Sequence, residues 1–219
     1  MSIFLNTNNL VFTGFFRFFI LHLYLVSKSS SFKMNFFKKF INTITLIFVM
    51  SSKSFAMPDM TNAFNNTSFL NTKSETIKLN EYEDKILLVF FGYTHCPDIC
   101  PSTLIDITKS LRELGDDAVE VQPVFISVDY LRDTPERLQK YMEFFDSRII
   151  ALTSSEDDLK KISKNFRTTF ELVNPSTSNY LVEHSSNLYI IDKGLIVKRI
   201  IANGLPSSEI TKTVKKLLN

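Results

Sequence analysis

Both cysteines of the 219-residue chain lie within five consecutive residues, in His95-Cys96-Pro97-Asp98-Ile99-Cys100. A disulfide framework is not built this way, because so tight a pair leaves nothing to staple elsewhere. Spaced by four at the first turn of a helix, the two sulfurs reach the same side, close enough to form a disulfide or to hold one soft metal ion. Cys100 precedes Pro101, a residue suited to the first helical position. Its sulfur is therefore expected near unpaired N–H groups at the positive end of the helix dipole, with its thiolate favoured. The bland alternative is two buried, inert thiols. Their place in a loop between a strand and a helix argues against it.

A metal bound by protein ligands alone wants a third or fourth donor, and imidazole is the obvious one. Of the three histidines, His22 lies in an apolar N-terminal region, and His95 adjoins Cys96 at a strand exit where it can point away. His184 is left, in YLVEHSSNLYIID just before a predicted strand. A lone His beside a strand is more often a polar loop residue, so spacing by itself leaves the third donor open.

The elements that must position these residues alternate. Residues 86–91 (ILLVFF) form a continuous apolar run of strand length, the pattern of a strand buried on both faces. Leu104, Ile107, Leu111 and Leu114 mark one stripe of a helix that Gly115 stops. A strand over 119–128 comes next, then a helix opened by Thr134-Pro135 with Leu138, Tyr141, Met142 and Phe145 inside. After a short strand at 149–152, a helix capped near Ser155 carries Leu159, Ile162 and Phe166 inward. Residues 188–191 and 195–201 flank Asp192-Lys193-Gly194 as a β-hairpin, and a last helix begins at Pro206. The order βαβαβα and then ββα predicts an α/β domain with a mixed central sheet flanked by helices, over 76–219.

Ahead of it, residues 57–75 are rich in Asn, Thr and Ser and read as a linker. Residues 1–56 are a different material. They hold no Asp or Glu, six of the 25 Lys and Arg, and 12 of the 21 Phe. What remains has 19 basic against 23 acidic residues, a formal charge of −4 where the whole chain has +2, which removes any case for a nucleic-acid partner. The apolar stretch 10–26 is interrupted by Arg17, which costs about 2.5 to 3.5 kcal/mol near a bilayer centre. A better targeting pattern starts at Met34: Lys38 and Lys39, an apolar run, then a small-residue exit ending at Ala56. Residues 1–56 are thus expected to form a membrane-targeting or anchor region, with Met34 as a possible true start.

The segment FFGYTHCPDICP resembles the active-site segment of the Sco/SenC family, membrane-anchored copper proteins that help assemble cytochrome c oxidase. SVDYLRDTPERLQKY resembles the family's Asp-Pro-x-Arg-Asp-Thr segment and YLVEHSSNLYIID its Tyr-x-Val-Asp-His-Ser segment, in the right order. The resemblance implies a thioredoxin-like fold, copper as the metal, and Cys96, Cys100 and His184 as its ligands. It also implies a domain on the periplasmic side of an inner membrane, or in the mitochondrial intermembrane space, whose partner is the copper-bearing oxidase subunit. There are departures: Tyr130-Leu131 replaces Pro-Glu, Glu183 stands for Asp, and no Gly-containing hairpin is evident between 62 and 82. Asp129, Arg132 and Asp133 could shape the rim of the metal site; equally, Asp133 or Thr134 could cap the second helix.

Two thiolates and an imidazole make a soft, low-coordinate site with room for an incoming partner thiolate. A Cys96–Cys100 disulfide would shut it. The expectation is a copper metallochaperone for the oxidase's binuclear centre. The alternative is a thiol–disulfide oxidoreductase that reduces that centre's cysteines and has no need of His184. A thioredoxin-fold peroxidase would need an Arg placed for the peroxide, and none neighbours Cys96 in sequence.

Overall fold

The apolar run after Lys85 forms β3 (Ile86–Gly92), every residue of which is buried. A computed structural model describes residues 57–177 and 179–219. In it β3 is an interior strand of a seven-stranded mixed sheet. On one side it pairs in parallel with β4 (Val121–Ser127), from Ile86 opposite Val121 to Gly92 opposite Ser127. On the other it runs antiparallel to β8 (Leu188–Ile191). Strands covered on both faces need not alternate, which is why Ile86 to Phe91 show no polar position.

The remaining strands fill the sheet outward. β5 (Ile150–Thr153) pairs with β4, and β9 (Val197–Ile201) with β8 across the expected turn at Asp192 to Gly194. Helix α2 (Ile99–Leu114) comes after β3 and packs against the last helix, α5 (Ser207–Leu218). Its end is set by Gly115, whose φ of 57° other residues adopt only with strain. Helices α3 (Pro135–Met142) and α4 (Glu156–Phe166) are capped by Thr134 and Ser155, each accepting an N–H three residues on. The core joins Phe90, Phe91, Phe125, Phe166 and Tyr189; truncating one of these rings to Ala should cost about 3 to 5 kcal/mol.

Two parts differ from the expectation. Residues 57–75 are not a linker but belong to the folded domain. Asp59 bridges to Ile196, α1 (Thr61–Asn66) packs on α4, and β1 (Phe69–Asn71) extends the sheet beside β5. Met60, Phe64 and Phe69 are all but fully buried, so three side chains outweigh the polar composition around them. β1 also forms the hairpin that lacked a glycine: β2 (Thr76–Ile77) returns through a turn whose positive φ is carried by Ser74. The second difference is a separate two-stranded sheet, β6 (Phe170–Val173) with β7 (Leu181–His184), where no strand was expected.

The targeting region over 1–56, with Met34 and Ala56, lies outside the described residues. Among the described residues no helix is long and apolar enough to cross a membrane.

Candidate metal centre

β3 and β4 end side by side, and the loops leaving their ends build the site. The ladder continues one step past the strands, with the Val128 N–H donating to the Gly92 carbonyl. From Gly92 the chain passes through Tyr93, Thr94 and His95 to Cys96 and enters α2 at Ile99. Cys100 therefore sits in the first turn of α2, completely buried, while Cys96 in the loop above it is half-buried and both are free thiols.

His184 arrives from the other direction, as the last residue of β7, opposite Phe170. Its ring stands edge-on to Tyr93, with centroids 5.7 Å apart and planes at 90°, and also meets Phe90 at 6.5 Å. Nδ1 lies 3.1 Å from the Ser185 carbonyl. A carbonyl can only accept, so Nδ1 carries a proton, which leaves Nε2 as the ring nitrogen available to a ligand. That Nε2 is 3.7 Å from the Cys100 sulfur. The donor atoms of Cys96, Cys100 and His184 all lie within 4.8 Å of one another, 84 residues of chain being folded back to bring the last of them in. His95 stays out of this cluster: it is exposed, and its Nδ1 faces the Thr94 hydroxyl at 3.3 Å.

The two thiols differ, and the order is the reverse of that expected from the helix dipole. Hydrogen bonding from the Cys100 thiol, then the approach of the His184 ring and of the backbone N–H groups of Cys100 and Asp98, holds Cys96 well below the usual thiol range. The same shared proton, together with burial, pushes Cys100 up. The helix N-terminal amides are aimed at Cys96, and the sulfur inside the first turn is the desolvated one.

Asp129 and Asp133 do not line a rim either. Both are buried beneath the site, at 0 % and 2 % exposure. Asp133 accepts the Thr94 N–H at 2.8 Å, the Thr94 hydroxyl at 2.6 Å and the Ser127 hydroxyl at 2.6 Å, so the capping role falls to Thr134 alone. Asp129 accepts Arg132 Nε and the Tyr180 hydroxyl, both at 2.5 Å. Sequence reasoning missed Tyr93 and Tyr180; the only available signal was an aromatic just before each ligand-bearing segment. Beside the cysteine loop an open groove is lined by Thr94, His95, Arg137, Lys140, Tyr141 and Phe144.

The SCO1/SenC family model matches residues 57–219, the whole of the described domain. The chain belongs to the SCO1/SenC family. An SCO2-like protein of Rickettsia prowazekii is 36% identical over 126 residues, 57% of this chain and 62% of its own length. The mitochondrial protein SCO2 of Saccharomyces cerevisiae is 42% identical over 112 residues, 49% of this chain and 37% of its own. This SCO1/SenC chain thus spans about three fifths of the first relative and less of the second. Among solved structures, copper-bound ScoI of Bradyrhizobium japonicum is similar with a TM-score of 0.64 and 28% identity, over 69% of this chain and 96% of that one. Copper-bound yeast Sco1 gives 0.63 and 26%, over 69% and 86%. The mixed sheet flanked by helices is the thioredoxin-like arrangement of these Sco structures.

Proposed function

We propose that Cys96, Cys100 and His184 bind one copper ion and that the chain delivers it to the binuclear copper centre of cytochrome c oxidase. The observation that carries this reading is the convergence of two sulfurs and one imidazole lone pair within 4.8 Å. Soft thiolates favour Cu(I), and three donors leave a coordination position open. Cys100 forms the floor, whereas Cys96 and His184 are partly exposed, so a partner's thiolate enters from their side. The copper-bound relatives support the choice of metal, and the oxidase subunit is inferred from the family resemblance. In the same reading residues 1–56 tether the domain to a membrane, facing the periplasm or the intermembrane space.

A second reading rests on the proton shared by the two thiols. An accessible low-pKa Cys96 beside a protonated Cys100 is also the arrangement of a dithiol reductant, which would reduce the partner's cysteines and leave itself as a disulfide. His184→Ala separates the two, since it removes a ligand and keeps both thiols. In cells, that variant should fail to support oxidase assembly if copper delivery is the task. Normal assembly without added copper would replace the chaperone reading with the reductase one.

A further inference from the structure

The cysteine loop and the His184 hairpin belong to different sheets, yet one hydrogen-bond chain with a buried middle joins them. It starts at Thr94, two residues before Cys96, whose N–H and hydroxyl both donate to Asp133. The Ser127 hydroxyl donates to the same carboxylate, and Ser127 Oγ accepts the Asp129 N–H at 3.2 Å. Asp129 then accepts the Tyr180 hydroxyl, four residues before His184. Arg132 locks this end: its Nε donates to Asp129, its Nη1 donates to the Tyr180 carbonyl at 2.9 Å, and its guanidinium lies 3.5 Å from the centre of the Tyr180 ring. Asp129, Asp133 and Tyr180 are all buried.

β7 has no other route into register with the cysteines through the main sheet, because among the described residues its only strand partner is β6. We propose that Tyr180, clamped by Asp129 and Arg132, is a positioning residue that holds His184 against the cysteine pair. The inference rests on the metal-site reading of Cys96, Cys100 and His184 for its copper readout but not for its structural one. Anchoring groups behind a metal-binding His shift affinity by about 10- to 100-fold when removed. A long lever with Tyr93 also packing the ring belongs at the lower end.

The test is a double-mutant cycle in the full chain. Tyr180→Phe keeps the ring under Arg132 and removes only the hydroxyl. It should lower Cu(I) affinity about 10-fold in the wild-type background and have no effect in the His184→Ala background. Arg132→Lys, which keeps the charge but cannot bridge Asp129 and the Tyr180 carbonyl, should behave in the same way and serves if the first variant folds poorly. The copper-free readout is amide hydrogen exchange: protection of residues 181–184 should fall at least 10-fold while that of 86–92 is unchanged. An equal copper loss in both backgrounds, or unaltered exchange at 181–184, overturns the positioning role. If the wild-type chain binds no copper, the metal-site reading fails and the exchange result alone decides this proposal.

Discussion

Gly92 and Cys100 face each other so closely that the missing side chain of one makes room for the sulfur of the other. A Cβ on Gly92 would stand 2.9 Å from Cys100 Sγ and 2.7 Å from a ring carbon of Phe125. Both contacts are well inside van der Waals distance, and neither neighbour can retreat, since both are completely buried. Gly92→Ala should therefore cost about 1 to 3 kcal/mol by overpacking and displace a metal ligand at the same time. Thermal unfolding and Cu(I) titration of the variant check both halves: a variant of wild-type stability and affinity would show that the sulfur's position is not fixed here.

Cys96 should be the reactive thiol. With its thiolate favoured and its sulfur half-exposed, alkylation by iodoacetamide should change little between about pH 6 and pH 8, whereas an ordinary thiol accelerates steeply toward 8.5. Cys100, buried and protonated, should remain unmodified in the folded protein. Cys100→Ala removes the strongest hydrogen-bond donor but leaves His184 and the backbone N–H groups, so alkylation of Cys96 should become more pH-dependent than in the wild type. Mass spectrometry of timed alkylation reads all three outcomes, and preferential labelling of Cys100 would contradict them.

Oxidation should close Cys96–Cys100 within one chain, because the chain has no other cysteine, and so abolish copper uptake. Non-reducing electrophoresis should show monomer, and reduction should restore binding. Mainly dimeric oxidised protein would mean that the two sulfurs cannot reach each other.

Burial raises the Asp133 carboxyl above its ordinary value near 3.8, against the hydrogen bonds from Ser127 and Thr94. The folded state therefore holds this proton to higher pH than the unfolded chain does. Its contribution to stability is present at low pH and is lost as pH rises from about 4 through the raised pKa. Asp133→Asn carries no such proton. Urea denaturation at pH 4, 5 and 6 should thus show wild-type stability declining relative to the variant as pH rises; a constant difference would argue against the raised pKa.

Much of this was legible in the sequence because it depends on local pattern. The unbroken apolar run of β3, the stripe of α2 and the turn at Asp192 to Gly194 each occupy a few consecutive residues. These elements in turn place the cysteines just after β3. The β6–β7 hairpin was not legible: its strands are four residues each and mostly half-exposed, so neither builds an apolar period. Its best signal was Asn174-Pro175 between two short alternating runs, with Asn174 adopting the positive φ of a turn residue. Met60, Phe64 and Phe69 went unread for a similar reason, each being an isolated apolar residue in a polar stretch. The thiol order failed differently. The helix-dipole argument was sound, but it ignored that the first turn buries Cys100 and leaves its amides aimed at Cys96. The Asp129–Tyr180 bond, across 51 residues, exists only once the hairpin is folded.

The central claim is that two thiolates and one imidazole together hold a copper ion. X-ray absorption at the copper edge of the reduced, Cu(I)-loaded protein measures this directly. About one copper per chain should be found, with two sulfur scatterers and one nitrogen in the wild type. The nitrogen should be lost and the affinity reduced in His184→Ala, and stoichiometric binding should be absent in Cys96→Ser and Cys100→Ser. An unchanged nitrogen scatterer in His184→Ala, or a full equivalent of copper retained by either cysteine variant, would contradict the account.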